Sequence, residues 1–421
     1  MRCRIEGESK DGEPSGDEGG AGGAAVSAWP LVPLGEIFEI ARGGSPRPID
    51  AYITDADDGI NWISIADASD SSKYIERTKR RIRPEGAIRS RAVVPGDLLL
   101  TNSMSFGRPY IMRTTGCIHD GWLVLAKKRE GIDQDFFYRL LGSETVYAAF
   151  ARLAAGATVK NLNIDLVRGV SLPVPPLPEQ RRIAAILDQA DALRAKRRET
   201  LAQLDSLTQS IFIEMFGNYR TGGIPWPIRP VEDIAVDMTI GLVRSAAEFG
   251  PDFDVPYVRM NAIGQHGEFL PNLVMRTVVN ESEFERYELR PGDLLFNTRN
   301  SRELVGKTAL FRESGRYVFN NNLMRIRFRD GVHAEYVAAA FQTPYIQQEL
   351  ATRKAGTTSV FAIYARELKT VPVPVPPFSL QQLFATRIQA VDSLKTTHRA
   401  AMAELDALFA SLQHRAFSGG L

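Results

Sequence analysis

Cysteine is nearly absent: the 421 residues contain two, Cys3 and Cys117. Two thiols, one of them in a glycine-rich terminal stretch, cannot build a disulfide framework or a cysteine-based zinc site. Histidine is scarce as well. His119, His266, His333, His398 and His414 are scattered, with no HxH or HExxH grouping to hold a metal. No run of 18 or more apolar residues occurs, which excludes a transmembrane helix. Neither sign of charge dominates: 51 bases and 50 acids leave +1, which argues against a globally basic polymer binder. Residues 1–28 lack the apolar core of a signal peptide and, being Gly-rich and acidic, read as a disordered tail. The expected compartment is the cytoplasm, with no membrane partner.

What remains is ordinary globular composition: 44% hydrophobic, 24% charged, mean hydropathy −0.16. The length suffices for two or three domains with their own cores. The dominant feature is internal repetition. "WPLVPLGEI" (Trp29–Ile37) corresponds to "WPIRPVEDI" (Trp226–Ile234), and "VPGDLLLTN" (Val94–Asn102) to "RPGDLLFNT" (Arg290–Thr298). "AGAT" answers "AGTT", "LPVPPL" answers "VPVPPF", and "LDSLTQSIFIEMF" answers "LDALFASLQHRAF", all in the same order. A period near 200 residues means two copies of one unit, since solenoid repeats run to about 20–50 residues.

Each copy reads as mixed α/β. "AVVPGDLLLT" and "GWLVLAKK", with "LRPGDLLFNT" and "NLMRIRFR", predict strands bounded by Gly, Pro and Asn. "DQDFFYRLLGSETVYAAFARLA" and "HAEYVAAAFQTPYIQQELATR" carry helical spacing. Pro-Gly-Asp reads as a turn into a core strand rather than a catalytic site for Asp97 or Asp293, because Pro fixes φ and Gly accepts positive φ.

The prolines of "LPVPP" then forbid a helix. A long one follows, to Phe216, with apolar residues Ile183, Ile186, Leu187, Leu193, Leu201, Leu204, Leu207 and Ile211 at steps of three or four. The second copy repeats this with Phe384, Ile388, Val391, Leu394, Met402, Leu405, Leu408 and Leu412. A helix of nearly forty residues spans about 55–60 Å. Two such helices with narrow stripes suggest an antiparallel pair acting as a spacer; the alternative is that each packs on its own domain. The expected layout is thus a tail (1–28), a domain (29–177), a spacer helix (178–218), a second domain (219–377) and a second spacer helix (378–417).

Charge is locally uneven. Lys73 to Arg91 holds eight bases against two acids, and Arg286 to Arg329 holds ten against four. Either cluster alone reads as a solvated face; their matching places in a repeat point to a polyanion partner.

The block from Leu172 to Leu187, with Pro176, Leu177, Glu179, Gln180, Ile183, Ala184 and Leu187, and then Asp188, resembles the DNA-specificity subunit of type I restriction–modification systems (HsdS). "AGATVKNLN" also resembles that family's Gly-Thr-Lys-Asn-Leu stretch, at Gly156, Thr158, Lys160, Asn161 and Leu162. The second copy departs: "PFSLQQLFATRI" lacks the Glu and "AGTTSVFAI" lacks Lys-Asn. The resemblance implies an α+β fold of two tandem target-recognition domains, held with pseudo-twofold symmetry by an antiparallel coiled coil. It further implies that the chain reads a bipartite, asymmetric double-stranded DNA target and directs adenine methylation and restriction. Two methyltransferase subunits would dock on the helices and restriction subunits would join them. The chain itself would carry no cofactor; S-adenosylmethionine, ATP and Mg would belong to the partners. Candidates for subunit contact are Pro176, Glu179, Gln180, Ile183, Leu187, Leu204, Phe384, Ile388, Leu405 and Leu408.

Half-sites on one face of B-DNA lie about 34 Å apart or more, a distance a rigid helical spacer suits. The polar loops after "PGDLL" offer Asn102, Ser103 and Arg108 in the first copy, and Asn297, Arg299, Asn300, Arg302 and Lys307 in the second. Arg to guanine and Asn to adenine are favoured major-groove pairings. Arg80, Arg81, Lys160, Arg353 and Lys354 look more like phosphate anchors.

Enzyme readings fail on chemistry. "VPPL" and "VPPF" superficially resemble the Asn/Asp-Pro-Pro-aromatic motif of amino-methyltransferases, but Val cannot hold an exocyclic amine. "ARGGSP" and "AGGAA" do not fit a phosphate-binding loop. Pro251-Asp252 and Glu367-Leu368-Lys369 are too far apart in sequence for a nuclease hairpin. The chain reads as a binder without catalysis. The alternatives are a scaffold of two domains for protein or carbohydrate ligands on a coiled-coil dimeriser, and a specificity module for a single-chain restriction–methylation enzyme.

Overall fold

The structure, a computed structural model of the chain, describes residues 29–69, 73–102, 106–154, 162, 164–219, 223–356 and 359–421. They divide into two compact units: one reaches Arg194 and takes in Glu404–Leu421, the other is Ala195–Ala403.

In the first unit the main sheet runs Phe38–Arg42, Trp122–Lys127, Leu98–Thr101, Pro109–Met112, Tyr74–Ile75. The second unit keeps four equivalents in that order: Ala235–Ile240, Leu323–Phe328, Leu294–Asn297, Thr308–Leu310. The "DLL" strand is buried on both faces, so it reads as a continuous apolar run. Leu98 and Leu100 face the core shared with the helices, while Leu99 faces a second core with Trp122 and Val124. Leu294 and Phe296, against Leu295, repeat this in the second unit. Each unit adds a smaller sheet: Ile53–Thr54, Arg80–Ile82, Ile60–Ile63, Gly116–Ile118, Arg91–Val93 in the first, and Met275–Thr277, Val255–Val258, Val318–Phe319 in the second.

The Pro-Gly-Asp turns form as their chemistry dictates. Gly96 and Gly292 sit at φ +99° and +96°. The Asp97 carboxylate accepts the Val94 N–H at 2.9 Å, and Asp293 accepts the Arg290 N–H at 2.8 Å. Each proline arm is a strand that pairs with the start of its own domain: Ser171–Pro173 with Leu31–Pro33, and Pro372–Pro374 with Ile228–Pro230. The helical stretch after the strands is broken in both copies. Gln134–Leu141 and Glu144–Ala154 flank Ser143, and Ala334–Phe341 and Pro344–Thr352 flank Thr343, whose hydroxyl caps the next helix.

The long helices span Leu177–Phe216 and Phe378–Ser418. Gln180 fixes the start of the first. Its Nε2 donates to Pro175 O at 2.8 Å and Gly131 O at 3.1 Å, and its Oε1 accepts the Asp133 N–H at 2.9 Å. Gln381 does the same with Pro376 O and the His333 N–H. A short way along, Asp188 accepts from Lys73 at 2.7 Å and Arg139 at 2.8 Å. Burial opposes the charge on Lys73, but Asp135 and Asp188 outweigh it and hold its pKa above the usual value.

Further along, the helices run antiparallel. Arg194 meets Asp406 at 2.6 Å in the first unit. In the second, Lys395 meets Asp205 at 3.1 Å, Arg387 meets Glu214 at 3.5 Å, and Arg197 bonds His398. The two packing alternatives therefore both hold, on successive parts of each helix. Two expectations need correction. Gln180, Ile183, Leu187, Phe384 and Ile388 are buried in the cores of their own units, where they cannot meet a partner subunit. Leu193, Leu207, Leu394 and Leu408 are exposed, one position off the seam. Of the remaining contact candidates Pro176 is exposed, Glu179 is partly exposed and chelated by Arg182 at 2.7 Å, and Leu204 and Leu405 are half-buried.

Candidate nucleic-acid interface

At one end of each main sheet the same set of backbone hydrogen bonds recurs. Gly43 N–H donates to Trp122 O at 3.0 Å and Gly44 N–H to Ile118 O at 3.1 Å. Gly241 and Leu242 bond Leu323 O and Phe319 O at 3.1 and 2.9 Å. Asn102 N–H reaches Gly121 O, and Thr298 N–H reaches Asn322 O, both at 2.8 Å. Leu162 N–H donates to Asn102 O at 3.3 Å, and Ile363 N–H to Thr298 O at 3.0 Å. The loop after each "DLL" strand closes through Thr101 N–H to Arg108 O and Asn297 N–H to Lys307 O. Three segments thus converge in each unit: the loop after the first strand, the turn before the central partner strand, and the loop after "DLL".

Two glycines make the approach possible. A Cβ on Gly43 would lie 2.0 Å from His119 O, and one on Gly241 would lie 2.2 Å from Phe319 O. Side chains on this shared frame differ. In the first unit Asp120 is a hub, accepting from Ser45 Oγ at 2.9 Å on its carboxylate and from Arg42 Nε at 2.8 Å on its carbonyl. The Ser45 hydrogen bond, then the nearby His119 and Arg42, hold its carboxyl below the usual range against some desolvation. His119 is pushed down by burial, only partly offset by Asp120. Its place in the second unit is taken by Asn320, which donates to Tyr257 Oη at 3.0 Å and caps Asn322 N–H, a turn role.

The predicted readers divide. Arg108 is exposed beside the Tyr110 ring. Arg299 and Asn300 form a short strand paired with Phe361–Ala362, which pairs with Ala355–Gly356. That small sheet gathers Arg302, whose guanidinium lies 5.8 Å from the Phe361 ring, and Lys354, which donates to Arg302 O at 2.7 Å. Burial, and then the neighbouring Arg302, push the Lys354 pKa down. Lys307 is partly exposed at the end of the same loop. Asn102 and Asn297 are corrections: both are fully buried and hold backbone, so they do not present an edge to a base. Arg353 is tied to Glu349 at 2.8 Å and to Thr370 O, which makes it a helix-end staple. Arg80 and Arg81 are exposed on the smaller sheet, with Arg81 donating to Ala56 O in a turn that also carries Asp55, Asp57 and Asp58. Ser103 and Lys160 lie outside the described residues, as do Gly156, Thr158 and Asn161.

The charge clusters shrink in the fold. Lys73 is buried between Asp135 and Asp188. Five of the ten bases between Arg286 and Arg329 pair with carboxylates: Arg290, Arg312, Arg316, Arg325 and Arg327. The loop carrying Arg42 and Arg47 was missed. Its signal was available, because "ARGGS" aligns with "TIGLV" through the two frame glycines.

Among the described residues no helix is long and apolar enough to cross a membrane. The sequence profile described as "Type I restriction modification DNA specificity domain" matches residues 27–204 and 225–406, most of the chain and both copies. The chain belongs to this family. It is 22% identical to the type I restriction enzyme EcoKI specificity subunit of Escherichia coli K12, over 95% of this chain and 90% of that one. It is 19% identical to the MjaVIII specificity subunit of Methanocaldococcus jannaschii, over 87% and 86%. The fold matches a chain from a structure of the type I R-M system (TM-score 0.57, 19% identity, 93% and 98% coverage). It also matches the type I S subunit from M. genitalium (TM-score 0.54, 14% identity, 93% and 96% coverage). The family's two-domain, two-helix fold is therefore the fold of this chain.

Proposed function

We propose that the chain is the DNA-specificity subunit of a type I restriction–modification complex. Each unit reads one half of a split, asymmetric target, and partner subunits methylate adenine or cut. The observation that carries this reading is the repeated hydrogen-bonded frame bearing different side chains. One backbone used twice with different exposed groups suits two different half-sequences. Arg108 in the first unit, and Arg299, Asn300, Arg302 and Lys354 in the second, supply the groups. In this reading the chain binds and does not catalyse. Two methyltransferase subunits bring S-adenosylmethionine, and restriction subunits bring ATP and Mg. No specific observation favours a scaffold for protein or carbohydrate ligands.

Sequencing of methylated sites in cells with and without the chain tests it. The expected result is a two-part motif with a fixed non-specific gap that disappears on deletion; an unchanged set of methylated sites contradicts the reading. Lengthening both long helices by the same seven residues, which preserves the apolar stripe, should widen the gap and leave both half-sites as they were.

A further inference from the structure

Residues 42–47 and 240–245, at the end of the first strand of each main sheet and in the loop after it, help to build the frame through their backbones, but their exposed side chains have been given no part in reading DNA. Their backbones are equivalent, fixed by the Gly43 and Gly241 bonds to Trp122 O and Leu323 O. Their exposed chemistry is opposite. In the first unit Arg42 is exposed, and the Arg47 side chain is 85% exposed with Asp120 only at 4.0 Å. At the positions of Arg42 and Ser45 the second unit has Ile240 and Val243, which are 48% and 68% exposed. The arginine of that loop is withdrawn: Arg244 is locked to Glu283 at 2.6 Å and to Val278 O. Val278, whose carbonyl Arg244 holds, is itself exposed, and an exposed isoleucine stands at the position where the first unit has Arg42.

We infer that these loops are a further base-reading segment, giving a cationic contact in the first half-site and an aliphatic contact with a thymine methyl in the second. Ile240, the last residue of its strand, and Val243, on the loop pinned by backbone bonds, each leave about half or more of their surface to solvent. An apolar side chain discriminates bases in the major groove through the 5-methyl of thymine, whereas a guanidinium reads guanine or anchors phosphate. The inference rests on the specificity-subunit reading, and it requires at least one A·T pair in the second half-site.

The test is competition binding of the chain, assembled with its methyltransferase partner, to its own target DNA. Replacing the thymines of the second half-site by uracil should weaken wild-type binding by about tenfold, the scale of one lost base contact. Val243→Ala should bind thymine DNA more weakly by a similar factor and be indifferent to the uracil substitution. The variant with Arg42→Ala and Arg47→Ala should bind more weakly yet keep the wild-type response to uracil. Equal uracil sensitivity in wild type and Val243→Ala overturns the inference, as does no sensitivity in either, or a second half-site without an A·T pair. Those results leave the specificity reading intact; an assembled complex that prefers no DNA sequence at all would instead overturn that reading.

Discussion

Gly43→Ala and Gly241→Ala are each expected to erase discrimination in one half of the target while the other half is still read. The new methyl would sit 2.0 Å from His119 O in the first case, and 2.2 Å from Phe319 O and 2.4 Å from Asn320 O in the second. These are backbone atoms in the centre of the frame, so they cannot swing aside as a side-chain tip could. Relief requires the loop or the turn to move, with strain of about 1–3 kcal/mol for each displaced residue. Either movement breaks the paired bonds from residues 43 and 44, or 241 and 242, that align the three segments. Methylation mapping with each variant checks this: Gly43→Ala should relax the half read by the first unit only. A full, unaltered motif from both variants would show that the frame does not position the reading loops.

Phe212→Ala should give the largest loss of stability. Phe212 is buried near the end of the first long helix, inside an aromatic cluster of the second unit. Its ring lies 5.0 Å from Phe216, 5.6 Å from Tyr219, and 5.7 Å from both Tyr336 and Phe384. Tyr219 and Tyr336 share a buried hydrogen bond of 3.1 Å, and Tyr336 donates onward to Pro374 O at 2.7 Å. Burial, eased slightly by the Tyr336 bond, pushes the Tyr219 hydroxyl up to about 12, so both phenols stay neutral at any working pH. This cluster ties the helix end, the domain and the proline arm together. Removing a buried Phe costs about 3–5 kcal/mol, or roughly 2–4 °C of Tm per kcal/mol in a unit of this size. A thermal melt shifted by less than a few degrees would contradict the packing. The corresponding position at the end of the second helix is Gln413, which donates to Arg139 O at 3.4 Å, so the same truncation there should cost much less.

Local chemistry made much of this fold legible in the sequence. The Pro-Gly-Asp turns, the extended proline arms and the helix starts follow from fixed φ, positive φ and missing N–H groups, and the repeat showed them twice. What stayed hidden depends on partners distant along the chain. Arg325 and Lys73 count toward the basic clusters until Asp237 and Asp188 are found beside them. The apolar stripe of each long helix reads as one seam, yet its first turns serve its own domain, its middle turns the other helix, and its last turns the core of the other copy's domain. Spacings of three and four cannot divide those roles. Asn102 and Asn297 stand where a reader is expected by sequence, but both are fully buried: Asn102 holds Gly121 and Leu162 by its backbone, and Asn297 closes its loop on Lys307 O. The glycines before Ser45 do not fit a phosphate-binding loop; the close approach of Gly43 to His119 explains the first of them instead.

The most direct test of two independent readers on one repeated frame is an exchange of residues 29–176 for the first domain of another family member, with methylated sites then mapped. The account predicts that one half of the motif changes, while the other half and the gap are retained. A change in both halves, or in neither, would contradict it.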